Sequence, residues 1–430
     1  MSAPAAAEVP ALAKPRLRDV LTSPKMLVIL VLGAASGFPN QITESTLWAW
    51  LKDFGVSNTT IGIFSYVAIP YLLKPLWAPL LDRYALPILG RRRGWILVTQ
   101  LAIAVAIVAL AVQDPSASLM PIALCAILIV FMSASQDIVI DAYKVDVATS
   151  ADRGAIVAAA NLGYRASAWI AFALALVVAD YVGWRAAFMM LAAIMAALSI
   201  GTWLAPEPAE RFDHPHTLRE SIVTPLKELF GTPNALVFIA LVMLFKIGDA
   251  MALKFYTPFL MDMGFTKTEI GLFAKAIFTT TAIAGAVLGG IWMIKLGLLR
   301  AMLLFGILQA VSNLLYYALA GAGRDFPLMV AATAIDNLAG AMGNVASVAL
   351  IMALCNVRFG AFQFAMLSTF AMLPRYGLGG PAGWLADAGG WQTYYLVSFA
   401  IGLPGVALVW LLRDRIRELD ARNSGARAPG

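Results

Sequence analysis

The sequence predicts an all-α membrane protein: twelve transmembrane helices in two parallel six-helix repeats, with both termini cytoplasmic. Three observations lead there. The chain has more apolar residues than an aqueous fold can absorb. It contains twelve apolar runs long enough to cross a bilayer. One stretch is written twice, half a chain apart.

Composition sets the solvent. Of 430 residues, 61% are hydrophobic and only 13% are charged, and the mean hydropathy is +0.80. A soluble domain is about half apolar and a quarter charged, so bilayer is the solvent that accepts this chain. Residues 1–25 carry Lys14, Arg16, Arg18 and Lys25 and no apolar h-region. No cleaved signal peptide is expected, and the first span serves for insertion. Cys125 and Cys355 stand far apart in apolar runs, which supports neither a disulfide framework nor a metal site. His214 and His216 lie in a polar loop without a third ligand. No metal or cofactor is expected.

The runs fall near 26–50, 59–81, 94–113, 119–143, 154–179, 184–205, 234–259, 267–294, 300–320, 327–354, 359–385 and 391–412. They divide the chain into a cytoplasmic tail (1–25), an N-terminal bundle (26–205), a cytoplasmic linker (206–233), a C-terminal bundle (234–412) and a basic tail (413–430). Within the linker, "LRESIVTPLKELF" suits an amphipathic surface helix. With the N-terminus inside, 21 cations fall in inside segments and four outside: Lys52, Arg185, Lys267 and Arg324. That asymmetry sets both termini in the cytoplasm. The net charge of +6 is then loop charge facing anionic headgroups, with no nucleic-acid partner implied.

The repeated stretch is "GVSNTTIGIF" from Gly55, which returns as "GFTKTEIGLF" from Gly264. "DYVGWR" from Asp180 returns as "DAGGWQ" from Asp387. Six spans separate the copies, an even number, so the halves share one orientation. Two parallel six-helix halves are the major facilitator architecture. In that fold the loop between spans 2 and 3 carries an Asp and clustered basic residues. Here it holds Asp82, Arg83, Arg91, Arg92 and Arg93, which suit a cytoplasmic ion-pair latch; topogenic charge alone is the other reading.

Eleven ionisable groups fall inside the runs: Lys74, Arg165, Lys246, Lys254, Lys275, Arg375, Glu44, Asp137, Asp141, Asp249 and Asp336. Each costs about 2.5–3.5 kcal/mol at a helix centre. A scaffold has no use for them, whereas a polar central cavity does. Lys246, Asp249 and Lys254 share one broad helical face. Asp141 and Lys144 are spaced for a local pair near the cytoplasmic edge. Asp137 lies deeper without a local cation, a candidate to bind and release a proton. Arg165 is a possible partner for it, and a structural ion pair is the alternative. Gln309 and Asn313 share a face of span 9; such amides either meet cargo or hold helices together. Trp48 and Trp50 read as interface anchors. No nucleophile–base set and no GxxxxGK[ST] loop accompany these groups, so neither an enzyme nor an ATP-driven pump is expected.

The stretches "LGAASGFP", "YLLKPLWAPLLDRY", "GRRRGW", "SASQDIVIDAYKVDV", "LGYR", "FKIGDA", "FGILQAVSN", "GAMGNVASVALIMALCN" and "GGPAGWLADAGGW" resemble the AmpG family of anhydromuropeptide permeases. The resemblance runs from about residue 17 to residue 413. It implies proton-coupled import of N-acetylglucosaminyl-anhydro-N-acetylmuramyl peptides across the bacterial inner membrane by a monomer, for wall recycling and β-lactamase induction. By motif, it assigns proton coupling to Asp137 and Asp141. The substrate cavity would hold Lys74, Gln136, Tyr164, Arg165, Lys246, Asp249, Lys254, Lys275, Gln309, Asn313, Asp336 and Arg375. Cations there would meet cargo carboxylates, and amides would meet sugar hydroxyls. The chain departs from the family pattern at Asp336, where Glu is expected, and at Pro374, Lys254 and Tyr256. Those departures keep two alternatives open: import of another large anion such as acetyl-CoA, or a carrier-derived sensor without flux.

Overall fold

The computed structural model describes residues 23–147, 153–206, 231, 235–354 and 360–423. The linker's expected surface helix, both histidines and Cys355 lie outside these residues. Regular structure among the described residues is helical, with one isolated bridge between Leu86 and Gly90. Among the described residues, nine helical stretches are long and apolar enough to cross a membrane.

The first stretch, Pro24–Asp53, joins α1 (Pro24–Gln41), a π-turn (Ile42–Thr46) and α2 (Leu47–Asp53). Ser23 caps α1 by accepting a hydrogen bond from the Met26 amide. Pro39 lacks the amide proton that a regular helix needs. The π-turn follows at once, and the Thr43 hydroxyl donates to the Pro39 carbonyl at 3.2 Å. That irregularity carries Glu44. The next run is cut into α3 (Asn58–Phe64), α4 (Ile69–Leu73) and α5 (Ala78–Arg83). The sequence places Pro70, Pro75 and Pro79 there, which explains the breaks. Then come α6 (Gly90–Ala111), α7 (Met120–Val147), α8 (Arg153–Tyr181) and α9 (Trp184–Leu204).

The second half opens with α10 (Ala235–Lys254) and α11 (Tyr256–Asp262). A π-turn (Glu269–Ala274) leads into α12 (Lys275–Ala322), followed by α13 (Phe326–Leu354), α14 (Gly360–Gly377), α15 (Gly379–Leu411) and α16 (Arg413–Asn423). Gly297 and Gly390 interrupt α12 and α15 with φ of +73° and +71°. Only glycine takes that conformation cheaply. Left-handed glycines also expose the repeat. Gly55, Gly90 and Gly183 return as Gly264, Gly297 and Gly390, all with positive φ, at shifts of 207 to 209 residues.

The repeated stretch has a structural job. Asp387 accepts hydrogen bonds from the Asn58 and Thr59 amides at 3.1 and 2.7 Å, and from the Thr59 hydroxyl at 2.7 Å. In mirror fashion, Asp180 accepts from the Thr268 amide and hydroxyl at 3.3 and 2.7 Å. Each copy therefore begins a helix whose first amides are capped by a carboxylate of the other half. The Trp184 indole donates to Asp53 at 2.7 Å and that of Trp391 to Asp262 at 2.9 Å. Lys267–Asp53 (2.9 Å) and Lys52–Asp262 (2.7 Å) cross between the halves. A Cβ on Gly62, Gly379 or Gly383 would collide with the backbone of the opposing helix, so α3 and α15 pack backbone to backbone.

The apolar core divides accordingly. One cluster spans both halves at this clasped face, with Trp48, Trp50 and Phe188 beside Phe255, Phe259 and Tyr395. The other two each belong to a single half: Met26, Leu32 and Tyr143 in one, Phe238, Phe305 and Ile416 in the other. The halves are fused at one face and keep separate cores elsewhere.

Candidate functional site

A cavity of about 400 Å³ opens along the seam, within the size range of small-molecule sites. Its wall carries five cations (Arg165, Lys246, Lys254, Lys275 and Arg375) against two carboxylates, Glu44 and Asp249. The excess is positive, so the site favours an anion.

Local structure explains each position. The π-turn delivers Glu44 to an ion pair with Arg375 on α14, across the two halves. Lys254 ends α10 and donates to the Arg375 carbonyl at 2.6 Å. Its ammonium stands 5.0 Å from the Trp48 ring and 5.9 Å from that of Tyr376. Lys275 starts α12 between Phe172 (5.3 Å) and Phe278 (4.8 Å). Neither lysine makes an ion pair among the described residues. Glu44 acts electrostatically on both, so one carboxylate is shared among three cations. Aromatic faces supply only about 0.5–2 kcal/mol to a cation, which leaves Lys254 and Lys275 able to take an incoming carboxylate. Lys246 and Asp249 instead neutralise each other at 2.7 Å on one turn of α10.

Six of the expected cavity residues thus meet on the wall: Arg165, Lys246, Asp249, Lys254, Lys275 and Arg375. The other six stand off it. Lys74 is bound to Asp137 at 2.5 Å, and Ser36 donates to the second oxygen of Asp137 at 2.5 Å. The partner of Asp137 is therefore Lys74 and not Arg165, which is exposed. A kink at Lys74–Leu76 in the proline-broken run provides the approach. Gln136 is fully buried. The Tyr164 hydroxyl accepts from Asn40 at 2.8 Å. Gln309, Asn313 and Asp336 are buried within the second half, where Asn313 donates to Ser398 at 3.1 Å. The amides of Gln309 and Asn313 are turned to helix packing, because their shared face of span 9 looks at α13 and α15. Asp141 is exposed and paired with Lys144 at 2.6 Å.

The side chains of Asp82 and Arg83 lie outside those described. Of the other basic residues in that loop, Arg92 pairs with Asp146 at 2.8 Å and Arg93 donates to the Thr202 and Trp203 carbonyls. These contacts join helix ends within the first half. Glu44 and Trp48 were not among the residues expected to bind cargo. Glu44 was visible only as an intramembrane acid, and Trp48, expected as an interface anchor, is 4% exposed and packs under Lys254. Their i,i+4 spacing, which places both on one face, was the available signal.

The family model for the Major Facilitator Superfamily matches the chain over residues 29–275 and 247–429. An Anhydromuropeptide permease of Escherichia coli (strain K12) is 43% identical over 92% of this chain and 81% of its own length. A Putative transporter AmpG 4 of Rickettsia conorii is 29% identical over 93% of this chain and 99% of its own length. Among solved structures, the nucleoside transporter NupG superposes with a TM-score of 0.74 at 14% identity, covering 90% of this chain and 99% of that one. The D-xylose-proton symporter gives 0.69 at 12% identity, covering 90% and 97%. At such identities the structures speak for the fold alone. The seam cavity, the doubled architecture and the 43% identity to a permease over 92% of this chain converge: the chain belongs to the AmpG, or anhydromuropeptide permease, family of the major facilitator superfamily.

Proposed function

We propose that the protein imports N-acetylglucosaminyl-anhydro-N-acetylmuramyl peptides across the bacterial inner membrane, driven by the proton gradient and acting as a monomer. The observation that carries this reading is the pair of wall lysines, Lys254 and Lys275, held against aromatic rings without ion pairs among the described residues. Such cations suit the carboxylates of a peptide, and the name of the E. coli relative supplies the cargo class.

The topology follows from length. A crossing takes about 20 residues. Glu269–Ala322 and Met366–Leu411 hold 54 and 46 residues, and each breaks at a left-handed glycine, so each counts as two crossings. The proline-broken run from Asn58 adds another, which brings the total to twelve. With the basic loops cytoplasmic, the clasped face is periplasmic and the cavity is shut off from that side. Asp137 and Asp141 are the coupling candidates that the family motif nominates. Asp137 would have to part from Lys74 to take a proton.

The test is uptake of labelled muropeptide by proteoliposomes under an inward proton gradient. Accumulation that a protonophore abolishes supports the reading. Absence of uptake, or uptake of acetyl-CoA in its place, overturns it, and binding without flux identifies a sensor.

A further inference from the structure

Behind the cavity wall, one acid has a setting unlike the other acids among the described residues. Asp336 on α13 is 1% exposed. Its Oδ1 accepts a hydrogen bond from the Ser312 hydroxyl at 2.7 Å, while its Oδ2 is buried without one. No cation among the described residues reaches it within ion-pair distance.

The groups that face Asp336 come from several helices. From α10 come Asp249 and Lys246, already paired with each other. From α11 comes Tyr256, whose hydroxyl is bonded to Thr333 at 2.8 Å. From α12 and α15 come Tyr316, whose hydroxyl lies close to both Asp336 and Thr333, and Tyr395, whose buried hydroxyl makes no hydrogen bond. On α14, Arg375 is committed to Glu44. An ionised Asp336 would thus have two neighbouring hydroxyls, no ion-pair partner among the described residues and a like-charged neighbour, and burying such a charge costs several kcal/mol. Protonation removes that cost, and the Tyr316 hydroxyl offers an acceptor for the new O–H.

The site also communicates with the cavity. Asp249 lines the wall, and its Oδ1 lies only 2.8 Å from where a Cβ on Gly340 would stand. Gly340 is one turn along α13 from Asp336. The Lys246–Asp249 pair therefore stands between cavity and acid.

Resting on the import reading above, we propose that Asp336 is the binding site of the co-transported proton. A cargo carboxylate that draws Lys246 away leaves the Asp249 charge uncompensated toward Asp336. The acid then holds its proton more tightly, so cargo and proton favour each other's binding, as linkage requires. When cargo leaves, Lys246 returns to Asp249 and the proton is released. The O–H bond forms with a proton from periplasmic water and breaks to cytoplasmic water, and no electrons move.

The experiment compares wild type, Asp336→Asn and Asp336→Glu in proteoliposomes loaded with muropeptide. Two readouts are taken: exchange of labelled for unlabelled cargo without a gradient, and accumulation under an imposed proton gradient. Asp336→Asn is expected to keep exchange and lose accumulation, and Asp336→Glu to retain part of both. Two results overturn the inference while leaving the import reading intact, provided wild type accumulates. One is normal accumulation by Asp336→Asn. The other is loss of exchange together with accumulation in Asp336→Asn protein that remains monodisperse with a wild-type unfolding temperature. If wild type exchanges no muropeptide, it is the import reading that has failed.

Discussion

Asp137 and Asp336 lie in α7 and α13, the helices that carry predicted spans 4 and 10, and their surroundings are opposite. Asp137 has a lysine on one oxygen and a serine on the other. Asp336 has one serine and a neighbouring acid. The halves are nearly interchangeable at the clasped face, where each caps the other's helix, and they diverge at mid-depth. A doubled fold keeps symmetry where it must hold its halves together and abandons it where it handles charge.

The largest expected effect breaks that contrast at Asp137. Lys74→Ala leaves a partly buried carboxylate without its cation. It should lower stability by on the order of 2–3 kcal/mol, allowing for partial exposure of the pair. Thermal unfolding in detergent reads this, and Asp336→Asn in the same assay should lose little or gain. Equal losses for both would erase the distinction between the two acids. Next come the wall lysines. Lys254→Met and Lys275→Met should each weaken muropeptide binding by about 1.5–3 kcal/mol, the value of a charge-assisted hydrogen bond. Titration calorimetry checks this, and unchanged affinity would move the cargo site elsewhere.

Smaller effects test the symmetric part of the comparison. Asp387→Ala and Asp180→Ala should each cost about 1 kcal/mol of the clasped state, the worth of a helix cap. Cysteine accessibility at the clasped face should rise similarly in both, whereas a large disparity would show that the clasp is not two-fold. The smallest effect is expected for Trp48→Leu, which removes a cation–π contact of about 0.5–1 kcal/mol from Lys254 and should weaken binding only slightly.

Much of the fold was legible because lipid leaves few choices. Apolar runs, basic loops and a half-length echo are one-dimensional signals; the helix breaks at prolines and left-handed glycines, which fall between or within the runs, emerge only in the structure. The site was legible as a set of charges and not as a set of partners. Sequence distance could pair Lys246 with Asp249 and Asp141 with Lys144, both one turn apart. It could not pair Lys74 with Asp137 or Glu44 with Arg375, because those contacts join different helices and, in the second, different halves. The amides of Gln309 and Asn313 gave no sign of which way their shared face turned. Only packing decides that.

The most direct measurement is proton entry triggered by cargo, followed with a pH-sensitive dye inside proteoliposomes when muropeptide is added outside. Wild type and Asp137→Asn, where it folds, should both acidify the lumen, and Asp336→Asn should not. Acidification by Asp336→Asn at the wild-type rate, with none from folded Asp137→Asn, would contradict the assignment of the proton to the uncompensated acid.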